Sequence, residues 1–157
     1  MEKVNLKNYI KENSKLYFCD IDLFEFGRAD ESISVCKAKI DCHISLEEFI
    51  IQSFLVFMNE YLFNKNEELD INIGKLHTLE ELLFKSDWKE VYELIPLDIN
   101  KVKTLLSKWI DNKTMKEMGL IISDINSAIM LGEFDSMEQN IIFEDNKFRY
   151  FLSRGLG

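Results

Sequence analysis

The hydrophobic positions of this chain change period several times. Over residues 4–13, Leu6, Tyr9 and Ile10 recur at helical spacing and predict a short helix. The period then drops to two. Over residues 15–26, Tyr17, Cys19, Ile21 and Leu23 share one face, while Leu16, Phe18, Asp20, Asp22, Phe24 and Phe26 share the other. After a turn over residues 27–31, residues 32–44 alternate again. They set Cys36, Ala38, Ile40, Cys42 and Ile44 inward and Lys37, Lys39, Asp41 and His43 outward. Two such runs joined by a polar turn predict an antiparallel hairpin.

Ser45-Leu46-Glu47-Glu48 is a capping box, in which a serine hydroxyl and a glutamate carboxylate satisfy each other's backbone N–H groups. The helix it opens is expected to reach Phe63, with Phe49, Ile50, Phe54, Phe57, Met58 and Tyr61 on an apolar face that Ile51, Leu55 and Leu62 widen. So broad a face suits packing on a sheet. A second box, Thr78-Leu79-Glu80-Glu81, predicts a short helix through Phe84, and residues 87–94 read as helical up to the break before Pro96. Asp98 is placed to cap a helix carrying Val102, Leu105, Leu106, Trp109 and Ile110. A third box at Thr114 predicts a longer helix with Met118, Ile121, Ile122, Ile125 and Ile129 on one face and Gly132 as its stop.

The chain closes with strands expected at residues 140–143 and 147–153, around Asp145-Asn146, two residues that tolerate the positive φ of a tight hairpin turn. The predicted fold is α+β. It has a small, mostly antiparallel sheet of four strands, built from the N-terminal and C-terminal hairpins. One face of that sheet packs against a layer of about four to five helices.

With 157 residues, 46% of them hydrophobic, the chain can build one sizeable core, and no Gly-, Ser- or Pro-rich linker divides it. One domain over residues 1–157 is expected. The first eleven residues interleave Glu2, Lys3, Lys7 and Lys11 and lack an apolar signal-peptide core. The greasiest run, residues 49–58, falls well short of the roughly twenty residues that span a bilayer. Three cysteines cannot all pair, which suits reduced thiols in a cytosol. The expectation is a soluble cytoplasmic protein, and the heavy use of Lys, Asn, Ile, Glu and Phe suggests a bacterial or phage source.

The net charge of -9 changes the functional picture more than the size does. No stripe of Lys and Arg is available to neutralise phosphates, which argues against direct nucleic-acid binding. An acidic surface steers instead toward basic partners.

Catalytic patterns are few. Asp20-Ile21-Asp22 follows an apolar strand, and two carboxylates two apart on a strand can share a hard cation. The segment continues as strand, however, where phosphotransferases with such a motif need a loop and a helix, so solvated carboxylates are the expectation. Cys36 and Cys42 on one strand would stand roughly 20 Å apart, too far for one zinc ion, and His43 points the other way. His77 reads as a loop residue before a helix. Neither a nucleophile elbow nor a glycine-rich phosphate loop is present. No catalytic residue, metal or cofactor is assigned.

Two stretches remain as docking candidates. One is the acidic run that includes Glu67, Glu68 and Asp70. The other is the first strand, where Phe18, Phe24 and Phe26 flank Asp20 and Asp22. The sequence therefore predicts an acidic protein-binding module. The simplest case is a bacterial immunity or inhibitor protein that occupies a basic site on a toxin or nuclease domain, without direct contact to nucleic acid or membrane. The alternatives are a divergent metal-dependent phosphoryl-transfer or hydrolytic enzyme using Asp20 and Asp22, and an adaptor subunit of a phage or multiprotein assembly.

Overall fold

The computed structural model describes residues 2–13, 15–28, 30–57, 68–70, 88–132 and 137–156. Its elements are β1 (Lys3–Asn5), α1 (Leu6–Glu12), β2 (Lys15–Tyr17), β3 (Asp22–Arg28), β4 (Glu31–Lys39), α2 (Leu46–Phe57), β5 (Glu68–Asp70), β6 (Val91–Pro96), α3 (Ile99–Trp109), α4 (Asn112–Met118), β7 (Ser127–Leu131), β8 (Glu138–Glu144) and β9 (Phe148–Leu156). Seven strands form one sheet in the order β1-β6-β7-β8-β9-β4-β3, every neighbouring pair antiparallel, and β2 with β5 forms a separate two-stranded ladder.

This corrects the expected small sheet of two hairpins with helices on one face. The sheet is larger, and both of its faces are covered. On one face Leu6 and Ile10 of α1 and Phe49, Ile50 and Phe54 of α2 pack over Cys36, Ala38, Tyr92, Leu94, Leu131, Ile142 and Phe151. On the other, Val102 and Leu106 of α3 and Met115 and Met118 of α4 pack over Ile33, Val35, Ala128, Met130, Ile141, Phe143, Tyr150 and Leu152. Consecutive buried residues, Ile141-Ile142-Phe143 in β8 and Tyr150-Phe151-Leu152 in β9, mark strands that need cover on both sides. Lys37, expected in solvent, lies half-buried beneath the second helical layer for the same reason.

Several predicted helical or strand segments resolve differently. Residues 91–96 form strand β6, whose Tyr92 and Leu94 alternate with less buried neighbours and whose residues Lys3–Asn5 partner runs alongside, so Val4 is strand and not helix. The helix expected from Thr114 to Gly132 is α4 alone. Asp111 caps it, its carboxylate accepting from the Thr114 N–H at 2.7 Å, and Gly119 at φ +69° ends it by donating to Lys116 and Met115 carbonyls. The left-handed backbone at Gly119 is one that side chains with a Cβ adopt only at a cost. Ile129, expected on that helix, lies in β7. The strand expected over residues 15–26 is interrupted between Tyr17 and Asp22, and the one expected to reach Ile44 ends at Lys39, followed by a 3₁₀ turn over Ile40–Cys42.

Other elements form where the local signals lie. The Ser45 box closes as drawn, with Ser45 N–H donating to Glu48 Oε1 and Glu48 N–H to Ser45 Oγ, each at 3.0 Å. Asp98 Oδ1 accepts from the Asn100 N–H at 2.8 Å. β8 and β9 form the C-terminal hairpin, but its turn takes no positive φ. Instead Asp145 Oδ1 accepts from both the Lys147 and Phe148 N–H groups at 2.8 Å. The Thr78 box, His77, and the extension of α2 to Phe63 lie outside the described residues.

Candidate functional site

The sequence-derived docking residues divide among three settings. Asp20 is exposed in the link between β2 and β3, and Asp22 is exposed at the start of β3, so the pair does not share one strand. Phe24 is not a solvent-facing ring beside them. With Phe26 it packs against the core beneath α3 and α4, while Phe18 is buried in the core beneath α2. Glu67 lies outside the described residues. Glu68 and Asp70 lie in β5, whose backbone runs antiparallel to β2 with Glu68 opposite Tyr17 and Asp70 opposite Lys15. The fold thus brings the second acidic segment beside the chain that leads into Asp20, and Tyr17 on that ladder is 51% exposed.

The interruption after Tyr17 has a definite cause. Gln52, 5% exposed on α2, turns its amide onto Cys19, accepting from the Cys19 N–H at 3.0 Å and donating to the Cys19 carbonyl at 2.6 Å. Glu48, equally buried, accepts from the Tyr17 N–H with the carboxylate oxygen that the capping box leaves over. Gln52 therefore takes the place of a neighbouring strand at Cys19, and Glu48 adds a partner for Tyr17 at the end of the β2–β5 ladder, while Cys19 and Ile21 both enter the core. Ser45 also donates to the Tyr9 hydroxyl at 2.9 Å, tying α1 to the start of α2.

The thiols sit in the same region. Burial pushes the Cys19 thiol well above its ordinary range, and a hydrogen bond with Cys42 adds to that. Burial pushes Cys36 up to about 12. Neither thiol is nucleophilic at neutral pH. Among the described residues no group of three or more His, Cys, Asp or Glu is gathered closely enough to share a metal ion. On the opposite face, burial lowers the pKa of Lys37, partly offset by the carboxylates of Asp145 and Asp22. Its Nζ donates to the Met118 carbonyl at the end of α4 at 2.6 Å and stands 3.9 Å from the centre of the Phe148 ring.

A cleft of about 360 Å³ opens on the α2 face of the sheet. Its lining includes Ser32, Ser34 and Ser153 on the strands and the rings of Phe57 and Trp88 beside them. Sequence reasoning missed it because its strand residues look like ordinary polar positions of half-exposed strands. The detectable signal is a change along one face, since Cys36 in β4 and Phe151 in β9 are core residues and the next inward positions are serines. A second space of about 320 Å³ is lined by Lys39, Ile40, Asp41, Asn146, Lys147 and Phe148.

No helix among the described residues is long and apolar enough to cross a membrane. Comparison with protein-family models, with curated proteins and with solved structures finds no match to this chain.

Proposed function

We propose that this chain is an acidic protein-binding module, a bacterial cytoplasmic immunity or inhibitor protein that occupies a basic site on a toxin or nuclease domain. The observation that supports this reading is the β2–β5 ladder. It sets Glu68 opposite Tyr17, three residues before the exposed Asp20, so acidic segments far apart in sequence converge beside an exposed aromatic residue. The net charge of -9 supplies the long-range field that speeds encounter with a cationic surface. Asp20 and Asp22 are exposed carboxylates, available for docking without an unfolding cost.

The test is the kinetics of association with the protein encoded by the adjacent reading frame. Steering acts over the Debye length, which shrinks from about 10 Å at about 0.1 M salt to about 3 Å at about 1 M. The association rate is expected to fall steeply over that range while dissociation changes little. Charge reversal at Asp20, Asp22, Glu67, Glu68 and Asp70 is expected to reproduce part of that slowing at low salt, with the melting temperature of Asp20→Asn/Asp22→Asn unchanged. An association rate flat in salt, or unaltered by charge reversal, would overturn the reading.

A further inference from the structure

We infer that Cys19 and Cys42 form a redox-sensitive pair, closed to a disulfide by exchange with a small-molecule disulfide of the glutathione class. This does not rest on the acidic segments or on a binding partner. The β3–β4 ladder closes at one end with Asp22 opposite Lys37. Cys19 lies three residues before Asp22, and β4 stops at Lys39, after which the 3₁₀ turn over Ile40–Cys42 carries the chain on. Both cysteines therefore sit just beyond the same end of one ladder, on chain segments that have left the large sheet.

Packing brings the two side chains together. Cys19 belongs to the core beneath α2, and Cys42 packs against that same core. The two thiols are hydrogen-bonded to each other. The backbone on either side is anchored. Gln52 holds the N–H and the carbonyl of Cys19 at 3.0 and 2.6 Å, and the turn that ends in Cys42 is tied down by the Ile40 N–H, which donates to the Lys147 carbonyl at 2.9 Å. Two neighbouring thiols on anchored chain present a high effective concentration to each other. Cys36 stands apart, fully buried in β4 with its thiol turned to the Ser53 carbonyl.

Exposure assigns the order of events. Cys42 is half-buried, whereas Cys19 is 4% exposed, and burial together with the bond to Cys42 keeps Cys19 protonated. Cys42 is thus the thiol that meets the oxidant. It gives its proton to water, and its thiolate attacks one sulfur of glutathione disulfide. A mixed disulfide forms, and the released glutathione thiolate takes a proton back. Cys19 sulfur then attacks Cys42 Sγ, and the second glutathione leaves with the Cys19 proton. The protein loses two thiol hydrogens and gains one S–S bond, while glutathione disulfide is reduced to two glutathiones. The new bond staples the link that carries the exposed Asp20 to the turn after β4.

The experiment equilibrates the folded protein with reduced and oxidised glutathione over a range of ratios. Free thiols are trapped with N-ethylmaleimide, and the peptides are mapped by mass spectrometry. A Cys19–Cys42 disulfide is expected, with Cys36 neither bridged nor glutathionylated. Its equilibrium constant is expected to exceed that of the same pair in the urea-unfolded chain by at least about tenfold, because the fold holds the sulfurs together. By linkage, the folding equilibrium constant of the oxidised protein then exceeds that of the reduced protein by the same factor. Cys42→Ser is expected to leave Cys19 unmodified at every ratio, since the entry thiol is gone. A mixed disulfide that persists at Cys42 beside a free Cys19, a bridge to Cys36, a pair no easier to oxidise than in the unfolded chain, or glutathione on Cys19 in Cys42→Ser would each overturn the inference. The first three outcomes are read on the unmutated chain and do not depend on the variant folding.

Discussion

Beneath α3 and α4, the far face of the sheet keeps much of its polar chemistry at helix ends, apart from Lys37 on the Met118 carbonyl and the Gln139–Arg154–Glu31 contacts. Asp98 and Asp111 stand outside their helices as caps, Gly119 closes α4, and Val102, Leu106, Met115 and Met118 turn inward to an apolar sheet surface. On the α2 face, the helix itself sends Glu48, Gln52 and Ser53 into the interior. Two of these hold the backbone of residues 17–19, which has no place in the large sheet. The first face is built from regular elements whose backbone groups satisfy one another. The second accommodates irregular chain because buried side chains supply the missing partners, and it is also the face on which the cleft opens. Losing the partner of a buried polar group is costly, so that face concentrates both specificity and vulnerability.

The sharpest way to break the comparison is Gln52→Leu. The substitution preserves bulk but strands the Cys19 N–H and carbonyl away from water, and each such group costs about 1–3 kcal/mol. A loss of about 3 kcal/mol in urea unfolding is expected, and a change within about 0.5 kcal/mol would show that residues 17–19 find other partners.

A smaller effect separates the faces by pH. Folding raises the pKa of Cys36 from 9.0 to about 12, and that of Cys19 in the same direction, so both thiols keep protons that the unfolded chain gives up. Their contribution is fully present below pH 9.0 and is lost as the pH rises toward the folded values. Each unit above that point costs about 1.4 kcal/mol per thiol. Tyr150 on the far face is also raised by burial, but its ordinary value of 10.0 places its loss later. Urea melts under reducing conditions from about pH 8 to about pH 10 are expected to show falling stability, with a shallower slope in Cys36→Ala. An unchanged slope in that variant would mean that the thiol ionises as readily folded as unfolded.

The smallest effect belongs to the far face. Asp111→Ala removes a cap at an exposed helix start and is expected to cost about 1 kcal/mol by the same urea melts. A loss equal to that of Gln52→Leu would erase the distinction between marginal and interior polar contacts.

What the amino-acid order determines on its own is local. Ser45 and Glu48 close their box, Asp98 caps α3, and the strands around Asp145 pair, because every group involved lies within a few residues of its partner. What the order leaves open is decided by neighbours distant in the chain. Residues 91–96 and 127–131 are strands because β1, β8 and each other supply ladders, whereas runs of five or six apolar-rich residues fit either period. Likewise, Lys15–Tyr17 and Asp22–Arg28 are separate strands because Gln52, more than thirty positions away, claims the backbone of Cys19. Asp20 and Asp22 are legible as exposed acids from sequence, but the burial of Phe24 and the approach of Glu68 to Tyr17 are not. The cleft is the extreme case. Its lining draws on β4, β8 and β9, and no stretch of sequence contains Ser34, Glu138 and Ser153 together, so only the antiparallel register creates it.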